Sequence, residues 1–318
     1  MRRLMLFSCA VAAVACTPPT SPSQRAANTA APAPTSLELV MRPGAPRSYT
    51  LTLRDRAALE RRGPGAGRAH FDVAARVQLK RHDEPAPEGL RVNLAFSDVD
   101  ARSYGPLGVA AARALTALGG AKVVVTVDGL GVVKALAYEG AVVAKVAAER
   151  LARTFLKMSP AFSTGGRAIG GRWGDSATLP VEVPGAAEPV NAVLQANYVY
   201  QRQGEVNGQP CAVVQLDMKP SGNTPVERLF DMRKRSSGST ETALAPTWRG
   251  EGAVTTTGSG QGELCIDTAS GALRFGSFDL SLKTEVGTRR TKSPRVRGAH
   301  LEETRRIRLD ITEGGVAG

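Results

Sequence analysis

The chain is 318 residues long, carries 41 Lys and Arg against 29 Asp and Glu for a formal charge of +12, and is 42% hydrophobic. That hydrophobic share excludes a disordered chain, which lacks the apolar surface to offset the ordering of its backbone. The basic balance favours anionic partners, although arginine and alanine richness also fits the codon usage of a GC-rich genome, with most arginines simply solvated.

Met1, Arg2 and Arg3 precede an uncharged run from Leu4 to Ala15, which reads as the n-region and h-region of an export signal over residues 1–15. The run is too short to span a bilayer, which takes about 20 helical residues. It closes on Ala13-Val14-Ala15-Cys16. This resembles the lipobox of bacterial lipoproteins, with Ala13 where leucine is commoner, and it implies cleavage before Cys16, diacylglycerol on its sulfur and an acyl chain such as palmitate on its new amine. Several acyl chains, at about 0.8 kcal/mol per buried methylene, hold a domain on a membrane permanently. The alternative is an ordinary secretory signal cut after Ala15, with Cys16 a bystander.

Thr17 stands where an Asp would retain an enterobacterial lipoprotein on the inner membrane, so the resemblance implies the outer membrane, facing the periplasm. Loss of Arg2 and Arg3 with the leader takes +12 to +10. For an exported chain this charge suits lipid headgroups or acidic envelope polymers, and nucleic acid is a poor reading. Residues 16–36, with Pro18, Pro19, Pro22, Pro32 and Pro34 among Thr, Ser and Ala, have the composition of a tether, reaching on the order of 25 Å as a coil and about 60 Å if drawn out.

Period-two alternation begins after Leu37. Tyr49 to Leu53, Phe71 to Lys80 and Leu90 to Phe96 each set apolar side chains on one face, as half-buried antiparallel strands do. Val123 to Val127 and Val132 to Tyr138 flank Asp128-Gly129-Leu130-Gly131, a hairpin signal. Val109 to Leu118 is Ala- and Leu-rich, and Val142 to Met158 places Val143, Ala147, Leu151 and Phe155 at helical spacing before Ser159-Pro160 stops the run,. After Gly165 and Gly166, strands are expected over residues 178–183, 190–203, 212–218, 250–256, 262–267, 272–284 and 301–311.

These elements predict a strand-dominated α+β fold, a curved antiparallel sheet or half-barrel packed on one or two helices, with halves at 37–164 and 165–318. Val125 to Val132 and Leu264 to Leu273 both read as apolar alternation into an Asp turn, which raises a pseudo-duplication of the halves. Gly170-Gly171-Arg172-Trp173-Gly174-Asp175 and Gly262-Glu263-Leu264-Cys265-Ile266-Asp267 resemble a family of bacterial lipoproteins catalogued as a domain of unknown function. A looser architectural likeness is to the half-open barrels that carry lipids and lipoproteins through the periplasm, which would give the chain an apolar hollow.

Cys211 and Cys265 sit in predicted strands of an exported chain and are expected to form a disulfide, both pointing to the wetter strand faces. His70, His82 and His300 have no metal-ligand spacing, and no metal or cofactor is expected. Asp98 and Asp100 read as a turn rather than a glycosidase pair. There is no Gly-x-Ser-x-Gly elbow and no Ser-x-x-Lys, and the chain is expected not to be an enzyme. Arg289, Arg290, Lys292, Arg295 and Arg297, followed by Arg305, Arg306 and Arg308, gather basic charge that reads either as a docking patch for anionic polymer or lipid or as a solvated loop before a strand with arginine on its outer face. Trp173 and Trp248 read as core plugs. The function expected is that of a membrane-anchored envelope lipoprotein with a structural, non-catalytic role; the alternative is a carrier or sensor of a lipid or other apolar ligand.

Overall fold

The computed structural model describes residues 41–62, 66–87, 89–104, 108–128, 132–157, 166–181, 183, 190–225, 252–288 and 300–314. Thr35–Gly318 forms one compact unit. In chain order come β1 (Arg47–Arg62), β2 (Gly67–Ala86), β3 (Gly89–Tyr104), α1 (Val109–Thr116), β4 (Lys122–Val127), β5 (Val133–Glu139) and α2 (Lys145–Lys157). Then follow β6 (Arg172–Val181), β7 (Val190–Val206), β8 (Gln209–Pro225), β9 (Gly252–Ile266), β10 (Leu273–Thr288) and β11 (His300–Glu313). One turn of 3-10 helix, Val142–Ala144, leads into α2.

All eleven strands belong to a single sheet in the order β5-β4-β3-β2-β1-β11-β10-β9-β8-β7-β6. Sequence neighbours pair as antiparallel meanders from β1 to β5 and from β6 to β11, and the pairing of β1 with β11, Tyr49 opposite Glu313, fuses the two. The sheet edges, β5 and β6, are consecutive in sequence.

This corrects the expected α+β arrangement of a curved sheet or half-barrel packed on helices: the molecule is mostly one large antiparallel sheet with two short helices. The reason is one of dimensions. The 13 residues of α2 span about 20 Å at a helical rise of ~1.5 Å, whereas eleven strands spread over roughly 50 Å at ~4.8 Å spacing. Of the stripe expected on this helix, Leu151 and Phe155 are buried and Ala147 is half-buried, but Val143 is 53% exposed in the turn before α2, and periodicity says nothing of how much sheet a helix covers. The two Asp turns occupy matching places in the two meanders, β4 and β5 being the fourth and fifth strands counted from β1, and β9 and β10 the fourth and fifth counted from β6.

The core lies on one face of the sheet, where alternate residues are buried: Tyr49 and Leu51 on β1, Val73, Ala75, Val77 and Leu79 on β2, and Leu90, Val92, Leu94 and Phe96 on β3. β7 to β11 extend the same cluster, and α2 contributes Ala148, Leu151, Ala152, Phe155 and Leu156. The Phe155 ring meets that of Tyr49 edge-on, with centroids 4.9 Å apart, a favourable geometry for aromatic quadrupoles.

Two local features depart from expectation. Residues 250–256 and 262–267 read as separate strands because of the glycines between them, but β9 runs through unbroken. Gly258 and Gly260 let neighbours approach: a Cβ on Gly258 would lie 2.2 Å from the Ser281 carbonyl oxygen of β10, and one on Gly260 2.9 Å from Met218 Cε of β8. Asp98 and Asp100 lie within β3 rather than at a turn. The register slips between Arg76 and Gln78 opposite Ser97 and Asp100, and Asp98 takes φ +47°, the mark of a bulge. The hairpin at Asp128 is as expected, with Asp128 N–H donating to the Val132 carbonyl at 3.0 Å and Val132 N–H to Asp128 Oδ1 at 2.9 Å.

Candidate functional site

The densest polar constellation lies at one end of the core face, where the start of β1, the ends of β2 and β11 and the β9–β10 turn meet. Arg47 pairs with Asp267 and, at 3.0 Å, with Glu313; Arg274 reaches the same two carboxylates at 3.3 and 3.2 Å. Beside them Arg81, 2% exposed, holds Asp83 in a fork, with Nε donating to Oδ1 and Nη2 to Oδ2, each at 2.8 Å. Register explains the gathering: Arg47 stands opposite Arg81 and Tyr49 opposite Glu313. The turn is set by Asp267, which accepts from the Ser270 hydroxyl at 2.7 Å and the Ala269 N–H at 3.1 Å.

Three arginines face three carboxylates, so the cluster is neutral as a whole. Burial pushes the Asp267 carboxyl up, but hydrogen bonds from Ser270, Arg47 and Ala269, with the charge of Arg274, outweigh it and hold the group below its ordinary value,. Burial also raises the Tyr49 phenol to about 12 against the opposing charges of Arg81 and Arg47. Tyr49 Oη and Arg81 Nη1 are buried with no hydrogen-bond partner among the described residues. The arrangement clamps the first and last strands together; its charges are spent on one another.

The other end of the core face carries a second pair, Asp55 with Arg305, whose guanidinium lies 5.7 Å from the centre of the Phe71 ring. The core face is therefore apolar in the middle and ionic at both ends.

On the outer face at this second end, an open groove of about 350 Å³ is lined by Ala58, Glu60, Arg68, His70, Glu302 and Thr304 among others. Register sets three carboxylates side by side, Glu285 on β10, Glu302 on β11 and Glu60 on β1. Glu285, His300 and Glu302 place ligand atoms within 4.8 Å of one another, which is cation-binding chemistry. The sequence reading missed this set because it looked for spacing along the chain, and the set exists only across strands. Lys283 already sits between two of its members, 2.7 Å from Glu285 and 3.5 Å from Glu302, and the hydrogen bond from Lys283 keeps the Glu285 carboxyl below its ordinary value against partial burial. His82 lies apart, 3.6 Å from Glu84.

Cys211 and Cys265 are disulfide-bonded across β8 and β9, their Cα atoms 5.5 Å apart. They lie on the strand face opposite the main core, as the alternation indicated, but they are not wet: Cys211 is 1% exposed and Cys265 3%, under Val206, Val213 and Phe275. The expected direction was right and the expected exposure wrong, because a small second cluster covers this corner. No family model matches the chain, and no curated protein matches it.

Cys16, Trp248 and the basic run Arg289, Arg290, Lys292, Arg295 and Arg297 lie outside the described residues. Of the arginines that follow, Arg306 and Arg308 are exposed and neutralised by Asp279 and Asp310, whereas Arg305 turns to the core face. Trp173 stacks on Tyr198 with centroids 5.4 Å apart and packs against the main core, as a plug at the β6 edge does.

Proposed function

We propose that the chain is an envelope lipoprotein of bacteria, exported and held on a membrane through lipid on Cys16, with a structural and non-catalytic role. The observation that carries the structural role is the packed core face, where side chains from β1 to β4, α1, α2 and β7 to β11 form one continuous cluster and those of β5 and β6 lean on it. A scaffold fills its interior, whereas a carrier keeps a hollow. The buried Cys211–Cys265 pair supports export, since such bonds persist in oxidising compartments. The basic run at Arg289, Arg290, Lys292, Arg295 and Arg297 suits an anionic envelope polymer or lipid.

A second reading, a carrier or sensor of a lipid or other apolar ligand, draws on Tyr49 Oη and Arg81 Nη1, two buried donors without a partner among the described residues that would suit the polar head of such a ligand,. Native mass spectrometry of protein extracted from membranes under mild conditions tests both. Diacylglycerol on Cys16 and an otherwise bare protein are expected; an N-terminus without lipid overturns the anchor, and a co-purifying apolar molecule of defined mass overturns the scaffold in favour of the carrier.

A further inference from the structure

We propose that the 3-10 turn and first turn of α2 form an apolar knuckle that seats in the surface of an anionic lipid bilayer. Val142 is 88% exposed, Val146 58% and Val143 53%, and α1 lies against both the turn and α2. These are three large aliphatic side chains in water within residues 142–146.

Nothing local forces them outward for lack of room inside. Ala144 and Ala148 on the opposite side of the same turns are fully buried, so the segment is amphipathic, with its inner side satisfied by alanines and its larger residues presented to solvent. The knuckle is also fastened: Tyr138 of β5 donates its hydroxyl to the Ala141 carbonyl at 2.6 Å. A rigid apolar projection loses little conformational freedom on seating.

The size of the patch and its charge choose the occupant. Three valines expose a few hundred Å² between them, well short of the roughly 800 Å² per partner that a stable protein interface buries. A bilayer surface takes shallow apolar insertions of this size together with flanking cations. Lys145 within the knuckle and Arg113 on α1 are exposed, and neither makes an ion pair among the described residues. Of the neighbouring acids, Glu139 is matched by Lys122 at 4.0 Å, which leaves Glu149 as the charge set against them.

The inference leans on the proposed anchor only in so far as the anchor brings a bilayer within reach; a tether of the length of residues 17–36, about 60 Å if drawn out, lets the domain lie back on the membrane that holds it. The test therefore omits the lipid. The mature chain from Thr17, which contains the whole compact unit Thr35–Gly318, is sedimented with vesicles of phosphatidylethanolamine and phosphatidylglycerol. Binding is expected, with Val142→Asp and Val146→Asp each lowering the partition coefficient about tenfold, the worth of one buried valine. Both sites are solvent-exposed, so melting temperature and circular dichroism should be unchanged.

Three results would overturn the proposal: no binding by the parent chain, binding that both aspartate variants retain, or concentration-dependent dimers that the variants abolish without lipid, which would give the face to a second copy. A Cys16 found without lipid removes the anchor but leaves the vesicle result standing.

Discussion

Replacing Gly258 by alanine tests the close approach of β9 and β10 directly. An added Cβ would stand 2.2 Å from the Ser281 carbonyl oxygen, 2.9 Å from Pro220 Cγ and 3.2 Å from Leu282 Cα. Two of these atoms are backbone of a strand paired on both sides, so relief by side-chain rotation is unavailable and the strands themselves must part. Overpacking of this kind costs about 1–3 kcal/mol, and at roughly 2–4 °C per kcal/mol for a domain of this size the melting temperature should fall by about 3–10 °C. Gly67, at the start of β2, has nothing within 4 Å of the same added atom; alanine there should be neutral or stabilise by up to ~1 kcal/mol through the unfolded chain. Urea unfolding of the two variants beside the parent gives both numbers. A Gly258→Ala protein within ~0.5 kcal/mol of the parent, the range of an ordinary surface change, would refute the packing argument.

Asp83→Ala should cost about 3–5 kcal/mol by stranding the buried Arg81 guanidinium, while Arg81→Met with Asp83→Leu should cost much less because no charge is left behind; denaturant midpoints decide. Cys211→Ser with Cys265→Ser opens a loop of sequence separation 54 and should lose up to about 4 kcal/mol in the chain-entropy model, read against the parent with and without reductant. Phe155→Ala should cost roughly 3–5 kcal/mol in the same assay, because the ring is buried against Tyr49,. The Asp267 carboxyl is held below its ordinary value of 3.8, so its contribution is full above that value and disappears as the pH falls through the lower folded value. Asp267→Asn should therefore destabilise the protein at neutral pH and lessen the loss of stability on acidification, as unfolding from pH 7 to below about 4 would report.

The strands were legible in the sequence to the extent that one face of each is buried. Tyr49 to Leu53 announces β1 because its odd positions pack and its even ones do not, yet β1 continues to Arg62, where Arg54, Arg56 and Glu60 give alternation little to register. The glycines of β9 misled because a missing side chain looks like a break, when here it makes room for Met218 and the β10 backbone. The Cys211–Cys265 pair was legible from composition and compartment, its burial was not, since Val206 and Phe275 arrive from other strands. The ionic cluster of Arg47, Arg81, Asp267, Arg274 and Glu313 could not be read at all: its members are spread from β1 to β11, and only the strand order brings them together. One signal was available, since Arg81 follows Leu79 on the apolar face of β2, and an arginine in phase with a core stripe requires a buried partner.

The pairing of β1 with β11 also bears on how the protein is made. Every other strand pairs with its neighbour in the chain, over a short loop or one connecting segment, and can form as soon as both have been synthesised; this pair joins residues as far apart as Arg47 and Glu313, 266 positions, and sits at the middle of the sheet. The strand made first must wait for the strand made last. In the interval β1 presents an unpaired edge, a template for pairing with other chains, and the late, non-local closure is the slow kind of step. The time between emergence of β1 and arrival of β11 is therefore the period in which the nascent chain is most exposed to aggregation and most dependent on chaperones.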